Sequence, residues 1–238
     1  MRALTAVSCC LLAFLVSGCG GAQDRGAPKA EVRLGGQGAK PPARGGVVVA
    51  ALGDSITAGS PLWDPDAEIR AGIGSSIERK SQYEYWVRER DPDLRFHNCG
   101  VFGERTDQIA VRLEGCAEGA DVLVVQGGIN DIVQMRDVEA AARNLRSMVA
   151  RGKKLGLRVA LTEVLPWNNG PPAAGAQIRR LNRLIAAVGS DEGVRVYPWY
   201  ERLEDARSPG RMRPEWTIDG DHPSVEGYRR LADVVRLP

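Results

Sequence analysis

Only two histidines occur in the 238 residues, His97 and His222, so a reaction that needs an imidazole base has few places to find one. His222 ends the run Asp219-Gly-Asp-His222 and is followed by Pro223. A carboxylate three residues ahead of a histidine in a turn can reach Nδ1 and leave Nε2 facing outward, which is the arrangement of an oriented general base. The matching nucleophile candidate is Ser55, in Ala51-Leu-Gly-Asp-Ser-Ile-Thr-Ala-Gly59. A hydroxyl near its free pKa attacks poorly until such a base accepts its proton. The chemistry these three residues can do together is acyl transfer through Ser55, with His222 as base and Asp219 as its orienter.

Residues so far apart in the chain need a fold that joins them. The run Gly46-Gly-Val-Val-Val-Ala-Ala-Leu52 is short, β-branched and apolar, and stops at Gly-Asp-Ser, which predicts a buried strand of a parallel sheet. Ser55 then falls just past a strand's carboxyl end, where open α/β sheets bind ligands. Pro223 and Ser224 mark the start of a terminal helix reaching Val235, so the Asp219–His222 loop is anchored on that side. Two further segments follow apolar runs, Asn98-Cys-Gly-Val-Phe-Gly-Glu-Arg-Thr106 and Gly127-Gly-Ile-Asn-Asp131. Both are expected at the edge that holds Ser55. Their glycines permit close backbone approach and Asn130 offers an amide NH₂, as a site that must stabilise an oxyanion requires.

Strand signals recur at Val47 to Leu52, Leu94 to His97, Asp121 to Gln126, Leu157 to Val164 and Val194 to Tyr197. Helical patterns lie between and after them: Gln82 to Glu89, Thr106 to Glu114, Val138 to Lys153, Gln177 to Val188, and the terminal helix. This alternation predicts an α/β domain, a parallel sheet with helices on both faces. Residues 46–238 are long enough for one core and leave no room for a second domain.

Taken in order, these blocks resemble those of the SGNH or GDSL hydrolases, a family of esterases and lipases. The serine block falls on Ser55, the second block's glycine on Gly103, the G-x-N-D block on Gly128 to Asp131 and the D-x-x-H block on Asp219 to His222. The resemblance implies a three-layer α/β/α, flavodoxin-like fold with five parallel strands. It also implies a Ser55–His222–Asp219 triad and an oxyanion hole made by the Ser55 N–H, the Gly103 N–H and the Asn130 side chain. The first block reads Gly-Asp-Ser-Ile where the family has Gly-Asp-Ser-Leu, a change that touches packing and no reacting atom.

The start of the chain has a different composition. Residues 1–19 carry Arg2, an apolar core and small residues before Cys19, the pattern of a secretory signal. Leu15-Val-Ser-Gly-Cys19 resembles a bacterial lipobox, which makes Cys19 the expected lipidation site and predicts an exported protein anchored to a bacterial membrane in the cell envelope. Residues 20–45 are rich in Gly, Ala, Gln, Pro and charge, too poor in large apolar groups to build a core, and are expected to be a disordered tether. The tether carries a net charge of +3 while the whole chain carries +2, so the basic excess belongs to the tether and gives no reason to expect nucleic acid. Of five cysteines, Cys9 and Cys10 leave with the signal, and Cys99 and Cys116 remain as a disulfide candidate in an oxidising compartment, with two free thiols as the alternative.

His97, in Leu-Arg-Phe-His, is expected to be a partly buried structural imidazole. With one other histidine, a metal site built from several imidazoles is unavailable, and no cofactor is expected, because the loop after the first strand lacks a phosphate-cradling run of glycines. Asp54 and Asp131 are expected to support the site by hydrogen-bonding loop backbone. Trp63, Trp167 and Trp216 lie in segments near the active edge and are candidate substrate-binding residues, and the polar insert Pro61 to Ser76 is a candidate pocket wall that disfavours long acyl chains. The function expected is a serine esterase acting through an acyl-Ser55 intermediate on a small-molecule or glycan ester, short-acyl, with acetylated carbohydrate one such substrate. The alternatives are a transacylase on glycans using the same site and a non-catalytic glycan-binding lipoprotein.

Overall fold

The computed structural model describes residues 46–238. The expected signal 1–19 with Cys19 and the tether 20–45 lie outside the described residues. Five strands form one sheet: β1 Val48–Gly53, β2 Arg95–Gly100, β3 Val122–Val125, β4 Arg158–Thr162 and β5 Arg195–Tyr197. Their order is β2-β1-β3-β4-β5 and every pairing is parallel. This is the flavodoxin-like order, whose switch point lies between β1 and β3.

The helices are α1 Ser55–Ala58, α2 Ala67–Ile73, α3 Tyr83–Arg90, α4 Thr106–Val111, α5 Leu113–Ala117, α6 Ile129–Val133, α7 Val138–Lys154, α8 Ala174–Glu192, α9 Trp199–Leu203 and α10 Val225–Ala232. All six residues of β1 are buried, as expected for a strand covered on both faces. Its side chains alternate between two cores. Ala50 and Leu52 pack with Ile109, Leu145, Leu161 and Ile185 from α4, α7, β4 and α8, whereas Val49 and Ala51 pack with Tyr83, Trp199, Tyr228 and Leu231 from α3, α9 and α10. The period of two in a strand assigns successive residues to opposite layers, so one six-residue segment contributes to both.

Four departures from the sequence-based expectation stand out. The second strand runs from Arg95 to Gly100, so Asn98 and Cys99 belong to the strand rather than to the loop after it. The single helix expected from Thr106 to Glu114 is broken into α4 and α5 at Arg112, whose backbone sits at φ −92° and ψ 0°, outside helical geometry, while its guanidinium turns back toward the sheet. A short antiparallel pair, β6 Glu204–Asp205 with β7 Ser208–Met212, lies between α9 and the His222 loop and was not anticipated. His97 is exposed rather than partly buried, because β2 is the edge strand and its residues alternate between the layer under α3 and open solvent.

Candidate active site

The ends of β1, β2 and β3 converge on one cleft. Ser55 is the first residue of α1, entered from β1 through Gly53 and Asp54. Gly53 has no alternative at that point: a Cβ there would stand 2.2 Å from Thr57 Oγ1 and 2.5 Å from Gln126 Oε1, well inside van der Waals contact. The Asp54 carboxylate caps α1 by accepting from the Ile56 N–H at 2.9 Å, the usual N-cap role. Gln126, the polar residue that follows β3, accepts at Oε1 from the Asp54 N–H (3.1 Å) and the Thr57 hydroxyl (2.9 Å). From the other side, Tyr228 on α10 donates its hydroxyl to Ile56 O at 3.0 Å. Burial pushes the Tyr228 phenol well above its usual range, so it remains a donor at any working pH. The turn that carries Ser55 is therefore fixed from β3 and from α10 together.

His222 comes to the cleft on the loop that precedes α10. Nε2 lies 3.1 Å from Ser55 Oγ and Nδ1 lies 2.7 Å from Asp219 Oδ2. The other carboxylate oxygen, Asp219 Oδ1, accepts from the backbone N–H of Asp221 (2.8 Å) and of His222 (2.7 Å). Partial burial by itself would raise Asp219, but the His222 backbone N–H, its ring and the Asp221 N–H outweigh that and hold the carboxyl below its ordinary value, so it stays ionised. An ionised Asp219 selects the Nδ1–H tautomer and leaves Nε2 to take the Ser55 proton. The loop is closed by Thr217, whose Oγ1 donates to His222 O and accepts from Gly220 N–H, each at 2.8 Å. It is clamped from outside by Asn169, whose Nδ2 donates to Asp219 O and Asp221 Oδ1, each at 2.8 Å. Gly220 adopts φ +89° and faces Asn169 so closely that a Cβ would meet Nδ2 at 2.8 Å, which is why glycine stands between Asp219 and Asp221.

The expected oxyanion groups line the same cleft. Ser55, Gly103 and Asn130 share it with His222. Asn130 donates one amide hydrogen to Glu104 O at 3.0 Å, which leaves its second for a ligand. Gly103 follows β2 with φ +78°, and its carbonyl accepts from Gln134 Nε2 at 3.2 Å. Asp131 is buried and accepts at its two oxygens from the Thr106 N–H (3.0 Å) and hydroxyl (2.8 Å). Burial pushes its carboxyl up, partly offset by those two bonds. It thus joins the start of α4 to α6, which carries Asn130.

The cleft encloses about 350 Å³, and beyond the polar groups its walls are Ile56, Phe102, Ile129, Val133, Val164, Leu165, Pro166 and Trp167. Phe102, 63 % exposed, stacks on the His222 ring with centroids 6.0 Å apart. Of the three tryptophans expected to meet substrate, only Trp167 lines the cleft, and its Nε1 donates to Asp221 Oδ1 at 2.6 Å. Trp63 instead lies under the guanidinium groups of Arg70 and Arg79, at 4.9 and 5.9 Å. Trp216 is buried between Arg213 and Arg230, at 4.5 and 3.8 Å. Both indoles are spent on packing and cation–π contact. The insert Pro61 to Ser76 folds into α2 and a following turn and supplies no wall of the cleft. Cys99 and Cys116 are bonded, with Cα atoms 6.0 Å apart, and so tie β2 to α5.

Sequence inspection missed Gln126, Thr217, Asn169, Gln134 and Arg112. A polar residue ending the apolar run of β3 and the Asn168-Asn169 pair after Trp167 were visible signals. Thr217 and Arg112 offered none, because their partners are distant in the chain or are backbone atoms.

No curated protein sequence matches the chain. Solved structures do. A G-D-S-L family lipolytic protein from Desulfitobacterium hafniense superimposes with a TM-score of 0.65 at 17 % identity, over 79 % of this chain and 97 % of the other. A GDSL-like lipase from Bacteroides thetaiotaomicron gives 0.63 at 21 % identity, over 82 % and 89 %. A variant of an acetyl xylan esterase from Geobacillus stearothermophilus gives 0.62 at 18 % identity, over 80 % and 93 %. At such identities these likenesses concern the fold: a five-stranded parallel sheet flanked by helices. The sequence itself matches the model of the GDSL-like lipase/acylhydrolase family over residues 51–230, from the strand before Ser55 to the helix after His222, and the chain belongs to that family of hydrolases.

Proposed function

We propose that the protein is a serine esterase in which Ser55 attacks a carboxylic ester and forms an acyl-enzyme that water releases. The observation that carries this reading is the continuous chain Asp219 Oδ2, His222 Nδ1, His222 Nε2, Ser55 Oγ, with links of 2.7 and 3.1 Å. His222 takes the Ser55 proton during attack and returns it to the leaving alcohol, then repeats the exchange with water. The Ser55 and Gly103 N–H groups and the free Asn130 hydrogen receive the oxyanion.

The acyl part is placed against Ile129, Val133, Val164, Leu165, Pro166 and Trp167, a wall with no charged group. The polar insert does not reach this wall, so its polarity sets no limit on acyl length. A cleft of about 350 Å³ lies at the small end of the range for ligand pockets, which supports an acyl group of short to medium length rather than a long chain. Trp167 at the rim, beside the exposed Asp221, supports a second reading, an acetylated carbohydrate whose sugar face lies on the indole. The fold shared with an acetyl xylan esterase is compatible with it.

A p-nitrophenyl ester series from acetyl to palmitoyl separates these, with Ser55→Ala as control. Ser55-dependent turnover peaking between butyryl and octanoyl supports the apolar acyl site. A peak at acetyl, with turnover of acetylated xylan oligosaccharides, supports the carbohydrate reading, and turnover that survives Ser55→Ala refutes both. We further propose that Cys19 is lipidated and anchors the exported enzyme, since several acyl chains at about 0.8 kcal/mol per CH₂ hold a protein on a bilayer. Cys19→Ser is expected to release it from the membrane fraction, and unchanged partition refutes the anchor.

A further inference from the structure

We propose that Arg112, which lies outside the cleft, is the positioning residue that sets all three oxyanion donors, a role that rests on the serine-esterase function proposed above. One guanidinium joins the ends of two strands and the loop between them and the next helix. Nη1 donates to Cys99 O at 2.8 Å, near the end of β2. Nη2 donates to Gly53 O at 3.2 Å, at the end of β1 and two residues before Ser55. Nε and Nη2 hold Glu104 Oε2 at 2.9 and 2.6 Å.

Two of these anchored points, Gly53 O and Glu104, lead to the three donors. Gly53 O also accepts the Val101 N–H at 3.1 Å, so the peptide leading to Ser55 and the start of the Gly103 loop are bound to a single carbonyl. Glu104 is the next residue after Gly103, and its own carbonyl accepts Asn130 Nδ2 at 3.0 Å. Holding the Glu104 side chain therefore fixes both the Gly103 peptide and the amide of Asn130. The pair is 27 % and 18 % exposed at Arg112 and Glu104, shielded enough to be worth more than a surface pair.

Arginine is required by geometry. Its planar fork presents donors in several fixed directions, whereas a lysine ammonium is a single point on a flexible stem. The chain spends local structure on this contact, because the helix expected across Thr106 to Glu114 breaks at Arg112. The Cys99–Cys116 bond, four residues beyond, secures the same corner covalently. An ion pair serving only stability needs no contact with two strand-end carbonyls and an oxyanion loop at once.

The test is steady-state ester hydrolysis by wild-type protein, Arg112→Met, Arg112→Lys, Asn130→Ala and the Arg112→Met/Asn130→Ala double variant, with thermal unfolding recorded for each. Arg112→Met is expected to lower kcat about 100-fold with KM within about twofold, and Arg112→Lys about tenfold, in proteins that remain folded at the assay temperature. The double variant is expected to lose far less than the product of the two single losses, because both act through the same donors. Should Arg112→Met fail to fold, Glu104→Gln opens the same clamp and carries the same expectation. A normal kcat per folded enzyme in Arg112→Met or Glu104→Gln, or losses that multiply with Asn130→Ala, overturns the inference while leaving the esterase standing. Absence of Ser55-dependent turnover in the wild type overturns the esterase and this role with it.

Discussion

Asp54→Asn is expected to gain stability relative to the wild type as pH rises and to lose that gain in acid. Asp54 is fully buried, its Oδ1 caps α1, and its Oδ2 has no partner among the described residues. Burial, opposed by the bond from the Ile56 N–H, by the nearby Gln126 side chain and by His222, pushes its carboxyl up from 3.8 to about 6. The folded state therefore holds a proton that the unfolded chain has released between those two values. The Asp54 contribution to stability is complete below the unfolded value and is lost as pH rises through the folded one. Two units at 1.36 kcal/mol each make the cost of ionised Asp54 about 3 kcal/mol above pH 6. Asparagine caps a helix as well as aspartate and does not ionise. Whatever constant offset its NH₂ introduces at the Oδ2 position, the difference between variant and wild type should shift toward the variant by about 2 kcal/mol from pH 4.5 to pH 8. For a domain of this size that corresponds to a change of about 4 to 8 °C in the Tm difference. Urea unfolding at the two pH values reads the free energy directly. A difference that is independent of pH, or that moves toward the wild type as pH rises, refutes the account of a desolvated carboxyl beside the nucleophile.

Asn130→Ala is expected to lower kcat about 10² to 10³-fold with a smaller change in KM, as for a donor that acts mainly in the transition state; a pure KM effect in steady-state assays contradicts that role. Breaking the Cys99–Cys116 bond, which closes a separation of 17 residues, should remove about 3 kcal/mol on the chain-entropy estimate, seen as a lower midpoint in chemical unfolding of Cys99→Ser/Cys116→Ser; an unchanged midpoint denies it a stabilising role. Trp63→Phe should leave the ester-length profile unaltered while Trp167→Ala shifts it, because only Trp167 lines the cleft; a shift in both, measured on the p-nitrophenyl series, contradicts the assignment of Trp63 to its arginine neighbours.

Much of the architecture was legible because periodicity is a local property. The buried strand before Ser55, the β/α alternation and the cap at Ser224, whose side chain accepts from Gly227 N–H, are all written in neighbouring residues. Four motifs in order, three of them at strand ends, brought Ser55, Gly103, Asn130, Asp219 and His222 forward as one set; four of these line one cleft, and Asp219 stands behind His222, 2.7 Å from its Nδ1. The roles of Trp63, Trp216 and the insert were not legible in that way. An indole near an active edge looks the same in sequence whether it faces a ligand or lies under an arginine, and the arginines that cover Trp216 come from before and after it, at Arg213 and Arg230.

By itself, then, the sequence determined which residues are candidates for the chemistry, the family and the layered fold, because hydrophobic period and motif spacing act over a few residues. The tertiary structure alone decided the apolar wall of the cleft, the fixing of the nucleophile turn by Gln126 and Tyr228, and the break at Arg112. These depend on contacts between atoms as far apart in the chain as Ile56 and Tyr228, many of them to backbone carbonyls, which every residue possesses and no sequence pattern can mark.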